Sequence, residues 1–360
     1  MSVLRAHIAL NRQDHFHLQV VAEIPLQGVT AIYGPSGCGK TSLLYCLAGL
    51  LECKAGSKIR FGDRVWQQDD THLPVHERRI GFVFQDGRLF PHLNVAGNLA
   101  YAEKRRRGTG PSRDEVCDWL QLQKLLERGV AELSQGQQQR VAIARALLSA
   151  PDILFLDEPL ANLDLNSRTH ILRHLERVSR ELSIPIIYVS HDMEEVARLA
   201  DWLIVMEEGR LIAQGPTLEL CSRLELALAH EEQAAAIVHA RLIRQDRVYG
   251  LSELELEGQP LFVTAVNAPQ GANIRLRLPA RDVSLCLEAP SNTSILNIFK
   301  ARVTDIENSK ASRVLVRLQT GKQFLLARLT RKSIASLRLK IGATVYAQVK
   351  SVALLNQIHD

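Results

Sequence analysis

The stretch VTAIYGPSGCGKT (residues 29–41) constrains the architecture of this chain more strongly than any other segment. Its first five residues are mostly apolar or β-branched and predict a short buried strand. The next eight, Gly34–Thr41, fit the pattern G-x-x-x-x-G-K-S/T. Residues 40–51 carry apolar side chains at helical spacing. A strand, a glycine-rich loop and a helix in this order predict a phosphate-binding loop.

This loop predicts binding of ATP together with Mg²⁺. Its glycines let successive backbone N–H groups turn toward phosphate oxygens, and the helix N-terminus adds the positive end of its dipole. We expect Lys40 to reach the β- and γ-phosphates and the Thr41 hydroxyl to bind Mg²⁺. The predicted nucleotide-binding residues are Gly34, Pro35, Ser36, Gly37, Cys38, Gly39, Lys40, Thr41 and Ser42.

A second strand-like segment, ILFLD (153–157), is apolar up to its last residue and is followed at once by Glu158. A carboxylate at the end of a buried strand is rarely a chance surface feature. Asp157 is therefore predicted to enter the Mg²⁺ shell, and Glu158 to orient or deprotonate the attacking water.

The composition is that of a folded soluble protein. The chain has 360 residues, of which 46% are hydrophobic and 23% charged. Two domains are the default for this length. No apolar run approaches the ~18 residues that span a bilayer, and the N-terminus lacks a signal-like pattern, so we expect neither secretion nor membrane insertion. The six cysteines lack the spacing of a zinc site or a disulfide framework, and reduced thiols are expected.

Strand-like and helix-like segments alternate over the first 230 residues and predict an α/β fold with a largely parallel sheet. RIGFVFQ (79–85) and PIIYVS (185–190) are further predicted strands. Residues 112–128 and 135–149 are predicted helices, and 202–215 a β-hairpin.

The pattern changes after residue 216. Residues 217–247 are polar and predicted to be helix-rich, whereas short alternating strands with turn residues between them predict a small barrel or sandwich from about residue 248. Residues 248–289 show weak similarity to 300–352. We expect an α/β domain at 1–230, a linker of helix and strand at 231–290, and an all-β barrel at 291–356.

The charge is divided unevenly along the chain. Residues 291–360 hold twelve Lys and Arg against three acids, a net +9, which leaves −4 for residues 1–290. Such a tail indicates either an anionic partner or a solvated basic surface.

LSQGQQQR (133–140) resembles the signature motif of the ATP-binding cassette (ABC) ATPases. Other motifs of that family follow in its order. Gln85 matches the Q-loop, residues 160–164 match the D-loop, and His191 matches the switch histidine. The resemblance covers about residues 1–230 and implies a P-loop ABC ATPase domain with a helical subdomain at about 86–150.

The resemblance also implies roles for individual residues. ATP would be enclosed between two copies of the chain, so a homodimer is expected. Gln135 replaces the first glycine of the usual L-S-G-G-Q. The implied residues are Glu158, His191 and Gln85 in catalysis; Thr41, Gln85 and Asp157 around Mg²⁺; Ser134, Gln135, Gly136 and Gln137 on the partner's ATP; Asp164 in the D-loop; and Phe16, with His15 and His17 as alternatives, on adenine.

Several segments resemble the ATP-binding subunits of molybdate importers, among them FQDGRLFPHLNV (84–95) and YVSHDMEEVARLAD (188–201). The tail resembles a small OB-like Mop/TOBE barrel. That resemblance implies a regulatory site for molybdate or tungstate at Ser294, Lys350 and Ser351, although Leu296 stands where an arginine is usual.

An importer subunit of this kind would work with two membrane permease subunits, and indirectly with a periplasmic or extracellular substrate-binding protein. It would lie on the cytoplasmic face of the cell (inner) membrane as a peripheral protein. Three alternatives remain open at this point: transport of sulfate, iron, a polyamine or a sugar; a non-transport ABC ATPase with a nucleic-acid-binding barrel; and a tail that binds no ligand. We expect no nucleic acid.

Overall fold

A computed structural model describes residues 2–11, 16–161, 163–226, 234–308, 311–350 and 352–354. The chain forms two compact units, Met1–Gly215 and Pro216–Asp360. The boundary expected at residue 230 lies 15 residues after this division.

The first unit is built on a sheet of eleven strands, ordered β6-β5-β4-β1-β2-β11-β10-β3-β9-β8-β7. Its strands are β1 (Val3–Asn11), β2 (His17–Pro25), β3 (Val29–Tyr33), β4 (Lys58–Phe61), β5 (Arg64–Gln68), β6 (Thr71–His72), β7 (Ile80–Val83), β8 (Ile153–Asp157), β9 (Ile186–Ser190), β10 (Trp202–Glu207) and β11 (Arg210–Pro216).

The sheet is mixed rather than parallel throughout. Strands β10, β3, β9, β8 and β7 form a parallel core, whereas β2, β1, β4, β5 and β6 extend it with antiparallel pairs. The expectation of a parallel-sheet core is confirmed. The antiparallel extension was not predicted, because alternating strands such as β1 and β2 carry no sequence signal for their partners.

The helices of the first unit cover both faces of this sheet. Alternate residues of β8 enter different cores: Phe155 packs with α1 and the N-terminal strands, while Leu154 and Leu156 pack with the later helices. The helices are α1 (Lys40–Ala48), α2 (Val95–Glu103), α3 (Arg113–Trp119), α4 (Gln135–Leu148), α5 (Leu165–Glu181) and α6 (Met193–Leu199), with 3₁₀ turns at Val75–Glu77, Gln123–Leu125 and Val130–Glu132.

The second unit contains two five-stranded sheets. They are ordered β14-β13-β12-β15-β21 and β19-β18-β17-β20-β16. The elements are α7 (Thr217–Leu220), β12 (Ala235–Asp246), β13 (Leu251–Leu256), β14 (Gln259–Thr264), β15 (Asn273–Pro279), a 3₁₀ turn (Ala280–Asp282), β16 (Val283–Cys286), β17 (Asn297–Ile306), β18 (Arg313–Thr320), β19 (Gln323–Thr330), α8 (Arg331–Ser336), β20 (Thr344–Val349) and β21 (Ala353–Leu354).

These two sheets have the same topology and exchange their last strands. In each sheet three strands form a meander and the fourth returns beside the first, while the fifth comes from the other half. Both meanders carry a register shift at the same place, between Leu242 and Arg244 and between Val303 and Asp305. The second unit therefore contains a structural repeat, but its first copy begins at β12 rather than at residue 248, where the weak similarity was expected to begin.

The prediction of helix over 217–247 is wrong for residues 235–246, which form the long strand β12. Its alanine-rich sequence has no strong strand propensity, but β12 pairs with both β13 and β15. Tertiary pairing therefore overrides local preference here. Residues 235–279, which we expected in a linker, form four strands of the first repeat.

Among the described residues, no helix is both long and apolar enough to cross a membrane.

Candidate active site

Lys40 is the first residue of α1, directly after the loop that follows β3, and is only 4% exposed. Its Nζ donates hydrogen bonds to the carbonyl oxygens of Gly34 at 2.9 Å and Pro35 at 3.0 Å. Glu158 Oε1 lies 3.8 Å from the same nitrogen. The loop therefore holds a buried cation next to the acid that follows β8, where it can meet phosphate oxygens.

Gly39 shows why this loop needs glycine. It caps α1 with φ +104°, and a Cβ there would lie 2.6 Å from Phe16 Cζ. Phe16 and His17 line a cavity of about 900 Å³ together with residues 35–38. Phe16 therefore lies beside the predicted phosphate site, as an adenine-stacking residue would. His15, its alternative, lies outside the described residues.

Cys38 is 5% exposed within the loop, and burial raises the pKa of its thiol. The side chain therefore fills a small space as a neutral group.

The side chains of Thr41, Asp157 and Gln85, which were predicted to surround Mg²⁺, line the same cavity. The Thr41 hydroxyl donates to Asp157 Oδ1 at 2.8 Å, and the Tyr45 hydroxyl donates to the same carboxylate. Burial raises the pKa of Asp157, and these two hydrogen bonds oppose the shift. Thr41, Asp157 and Gln85 line one cavity of about 480 Å³. Hydroxyl, carboxylate and amide oxygens are hard ligands of the kind that Mg²⁺ prefers, so these residues fit the ion.

Glu158 lies between Lys40 and His191. Its Oε2 is 3.5 Å from His191 Nδ1, and its side chain is 20% exposed. Its φ of +42° is unusual for a residue with a side chain, and its N–H donates to the Val189 carbonyl at 3.2 Å. Such strain is found where surrounding structure holds a functional group in a fixed direction. The acid is thus fixed, and the imidazole, 51% exposed, is accessible to a ligand.

The signature segment begins α4 with a capping box. Ser134 Oγ accepts a hydrogen bond from the Gln137 N–H at 3.3 Å, and Gln137 Oε1 accepts one from the Ser134 N–H at 3.1 Å. Gly136 is buried, and a Cβ on it would lie 3.2 Å from Ser167 Cβ. Gln135 is exposed and lines the 480 Å³ cavity. The exposed N-terminus of α4 can therefore bind an anion.

Asp164 caps α5 by accepting a hydrogen bond from the Ser167 N–H at 3.0 Å. This bonding lowers the pKa of its carboxyl.

In the second unit, Ser294 and Lys350 are exposed, and the pairing of Asn297 with Val349 puts both at the same end of β17 and β20. Leu296 is 58% exposed, and Ser351 lies outside the described residues.

Sequence reasoning missed three residues that the structure connects to this site. Tyr45 binds Asp157, while Arg168 and Glu195 bind the segment around His191. Glu195 carried a usable signal, because it lies among apolar residues on the face of α6 that packs inward.

Two family models match the chain: ABC transporter over residues 19–161 and TOBE domain over residues 293–355. Curated relatives match nearly the whole length. Proteins named "Molybdenum import ATP-binding protein ModC" are 45% identical in Hahella chejuensis, covering 96% of this chain and 97% of the relative, and 44% identical in Rhodobacter capsulatus, covering 95% and 96%.

Solved structures match about three fifths of the chain. One is cbiO1 of Clostridium perfringens, described as part of an ABC transporter complex, with a TM-score of 0.54 and 30% identity over 61% of this chain and 90% of that one. Another is an ATP-binding cassette in a dimeric post-hydrolysis state with ADP and Pi, with a TM-score of 0.50 and 26% identity over 59% and 98%.

Proposed function

Because this chain belongs to the family of the molybdenum import ATP-binding proteins, we propose that it is the ATP-hydrolysing subunit of an ABC importer that takes up molybdate, and also tungstate. One observation carries the ATPase part of the proposal: Lys40, Thr41, Asp157, Glu158 and His191 converge around a single loop. Relatives that cover 96% and 94% of this chain support molybdate as the substrate.

The residues of the site have different roles in ATP hydrolysis. Backbone N–H groups of the loop and the Lys40 ammonium bind the phosphates, and Phe16 packs on adenine. Glu158 orients the attacking water and accepts its proton. His191 donates a hydrogen bond to the γ-phosphate and keeps Glu158 directed at the water.

Thr41, Gln85 and Asp157 would hold Mg²⁺. When bound, the ion neutralises charge on the β- and γ-phosphates. The hydrogen bond of 2.8 Å between Thr41 and Asp157 positions their oxygens together.

A second copy of the chain supplies Ser134, Gln135, Gly136 and Gln137 to each ATP, and Asp164 supports this contact by capping α5. Two permease subunits in the membrane and a substrate-binding protein complete the importer, with this chain as a peripheral subunit on the cytoplasmic face of the inner membrane. Closing of the homodimer on ATP would drive the permease outward-facing, and hydrolysis would reset it.

The alternatives have less support. The relatives named here carry molybdenum import in their names, rather than sulfate, iron, polyamine or sugar transport. A nucleic-acid-binding barrel would need exposed aromatic platforms. Phe299 is instead fully buried, and Arg317 lies 3.8 Å above the half-buried Phe324 ring.

The variant Glu158→Gln tests this function. We expect it to abolish ATP turnover, because the amide cannot accept a proton, while ATP-dependent dimerisation remains. Purified protein is assayed for phosphate release and, by light scattering, for dimers. Molybdate uptake into cells that express the chain with its permease should fall in parallel, and exposed Glu77→Gln serves as the matched control. Undiminished hydrolysis in Glu158→Gln would contradict the assignment.

A further inference from the structure

His191 lies in a short turn that buried hydrogen bonds hold in place. Ser190, the last residue of β9, is 2% exposed, and its Oγ accepts a hydrogen bond from the Asp192 backbone N–H at 2.9 Å. This bond closes a turn whose middle residue is His191. The main chain of His191 is therefore fixed, although its imidazole is half-exposed.

The Ser190 hydroxyl is oriented by Glu195, which is 5% exposed. Ser190 Oγ donates to Glu195 Oε2 at 2.6 Å, and the Tyr188 hydroxyl donates to the same oxygen at 2.7 Å. A hydroxyl has one hydrogen and two lone pairs. Because its hydrogen points at Glu195, its lone pairs are available to the Asp192 N–H. Glu195 thus sets the direction of the Ser190 hydroxyl.

Arg168 supplies the positive charge that this group of acids requires. Its Nη1 donates to Asp192 Oδ2 at 2.8 Å, and its Nε lies 3.6 Å from Glu195 Oε1. Asp192 Oδ1 accepts a hydrogen bond from the Glu194 N–H at 2.8 Å and caps α6. Buried carboxylates are costly without such partners. The turn is therefore fixed at both ends, by Ser190 and by Asp192.

We propose that Glu195 is a positioning residue for His191, acting through the Ser190 hydroxyl to keep the imidazole within reach of Glu158. The present separation, 3.5 Å between His191 Nδ1 and Glu158 Oε2, is the geometry that the network maintains. The inference rests on the proposed role of His191 in hydrolysis. It extends that role to Glu195, a buried residue that bonds to the Ser190 hydroxyl.

A pair of variants on the same carboxylate tests it. Ser190→Ala and Tyr188→Phe each remove one buried hydroxyl that donates to Glu195 Oε2, but only Ser190 bonds to the His191 turn. We expect Ser190→Ala to lower kcat about 10-fold or more with unchanged KM for ATP, as for a misplaced catalytic group. Tyr188→Phe should retain the wild-type kcat, and Ser190→Thr should restore it.

Glu195→Gln, which keeps the volume and removes the charge, should reproduce the fall in kcat. The melting temperature of each variant shows whether a fall in kcat comes from a misplaced His191 or from a less stable protein. The inference would be overturned if Ser190→Ala and Tyr188→Phe lost the same amount of kcat and if that loss were proportional to the fall in melting temperature. An inactive His191→Ala beside a fully active Ser190→Ala would also overturn it. An active His191→Ala would instead overturn the proposed role of His191, and the inference with it.

Discussion

At the scale of single residues, the site is held by hydrogen bonds within the chain itself. Lys40 is bonded to two carbonyl oxygens of its own loop, and Thr41 is bonded to Asp157. Glu158 keeps a left-handed φ, a conformation that costs energy for a residue with a Cβ. The local strain and the buried charge are offset by the packing of the sheet around them.

His174 offers a residue-scale test of stability. It is 7% exposed, its Nδ1 lies 2.8 Å from the Trp119 carbonyl oxygen, and burial lowers the pKa of its imidazole to about 4. Between the ordinary pKa near 6.5 and the lowered value, the unfolded chain binds more protons than the folded one, so stability falls as pH falls. This group should cost about 2 kcal/mol between about pH 7 and about pH 5.

The measurement is urea unfolding of the first unit at both pH values. His174→Asn removes the titrating group and keeps a donor for the Trp119 carbonyl, so the pH-dependent loss should shrink by the same amount. The same pH dependence in the variant and the wild type would show that His174 is not its source.

At the scale of elements, the two repeats of the second unit are joined by a symmetric pair of glutamines. Gln259, at the start of β14, exchanges hydrogen bonds with the Lys300 backbone, accepting from its N–H at 2.7 Å and donating to its carbonyl at 3.3 Å. Gln323, at the start of β19, does the same with the His239 backbone at 2.7 and 2.9 Å. Each glutamine side chain thus makes the pair of hydrogen bonds that the backbone of a neighbouring strand would otherwise make.

Removing either glutamine should loosen the connection between the repeats. We expect Gln323→Ala to cost about 1 kcal/mol of unfolding free energy, because the His239 N–H and carbonyl lose their partners at a part-buried site. Gln259→Ala should cost less, because its bonds to the Lys300 backbone are exposed to water. Chemical denaturation of the full chain gives this value, with the exposed Gln270→Ala as control. Variants no less stable than that control would mean that water replaces the bonds at no cost.

At the scale of the whole molecule, charge is concentrated in the C-terminal 70 residues, which carry +9. Exposed basic side chains on a small β domain attract small oxyanions, and most of them remain solvated and screened beyond ~8–10 Å. Ser294 and Lys350, at one end of β17 and β20, are the proposed oxyanion contacts. Leu296 supplies no charge where an arginine is usual in similar tails.

Calorimetric titration of the full chain tests this proposal. We expect heat with molybdate and tungstate and none with sulfate. Lys350→Ala should weaken molybdate binding about 10-fold or more, since a hydrogen bond to a charged group is worth ~1.5–3 kcal/mol. Lys340→Ala, equally exposed, should leave the affinity unchanged. Equal heat with sulfate, or none with any oxyanion, would refute the proposal.

The strand–loop–helix of residues 29–51 and the acids after β8 were predictable, because local patterns specify them. Asp157 and Glu158 lie where a buried strand ends, whichever neighbours that strand has. The pattern of α6 signals only that Glu195 is buried. Its bond to Ser190, and the bond of Arg168 to Asp192, were not predictable, because these residues meet the His191 turn only after α5 and α6 pack beside β9. A network of this kind depends on distances between elements far apart in sequence.

The sequence by itself determined the phosphate loop, the order of the ATPase motifs and the change to short strands beyond residue 248, since each depends on residue types at fixed spacing. Tertiary structure alone decided that residues 235–246 form a strand, that two similar sheets exchange β16 and β21, and that glutamines join them. A strand can pair with several possible partners, and the packing of the folded chain determines which pairs form.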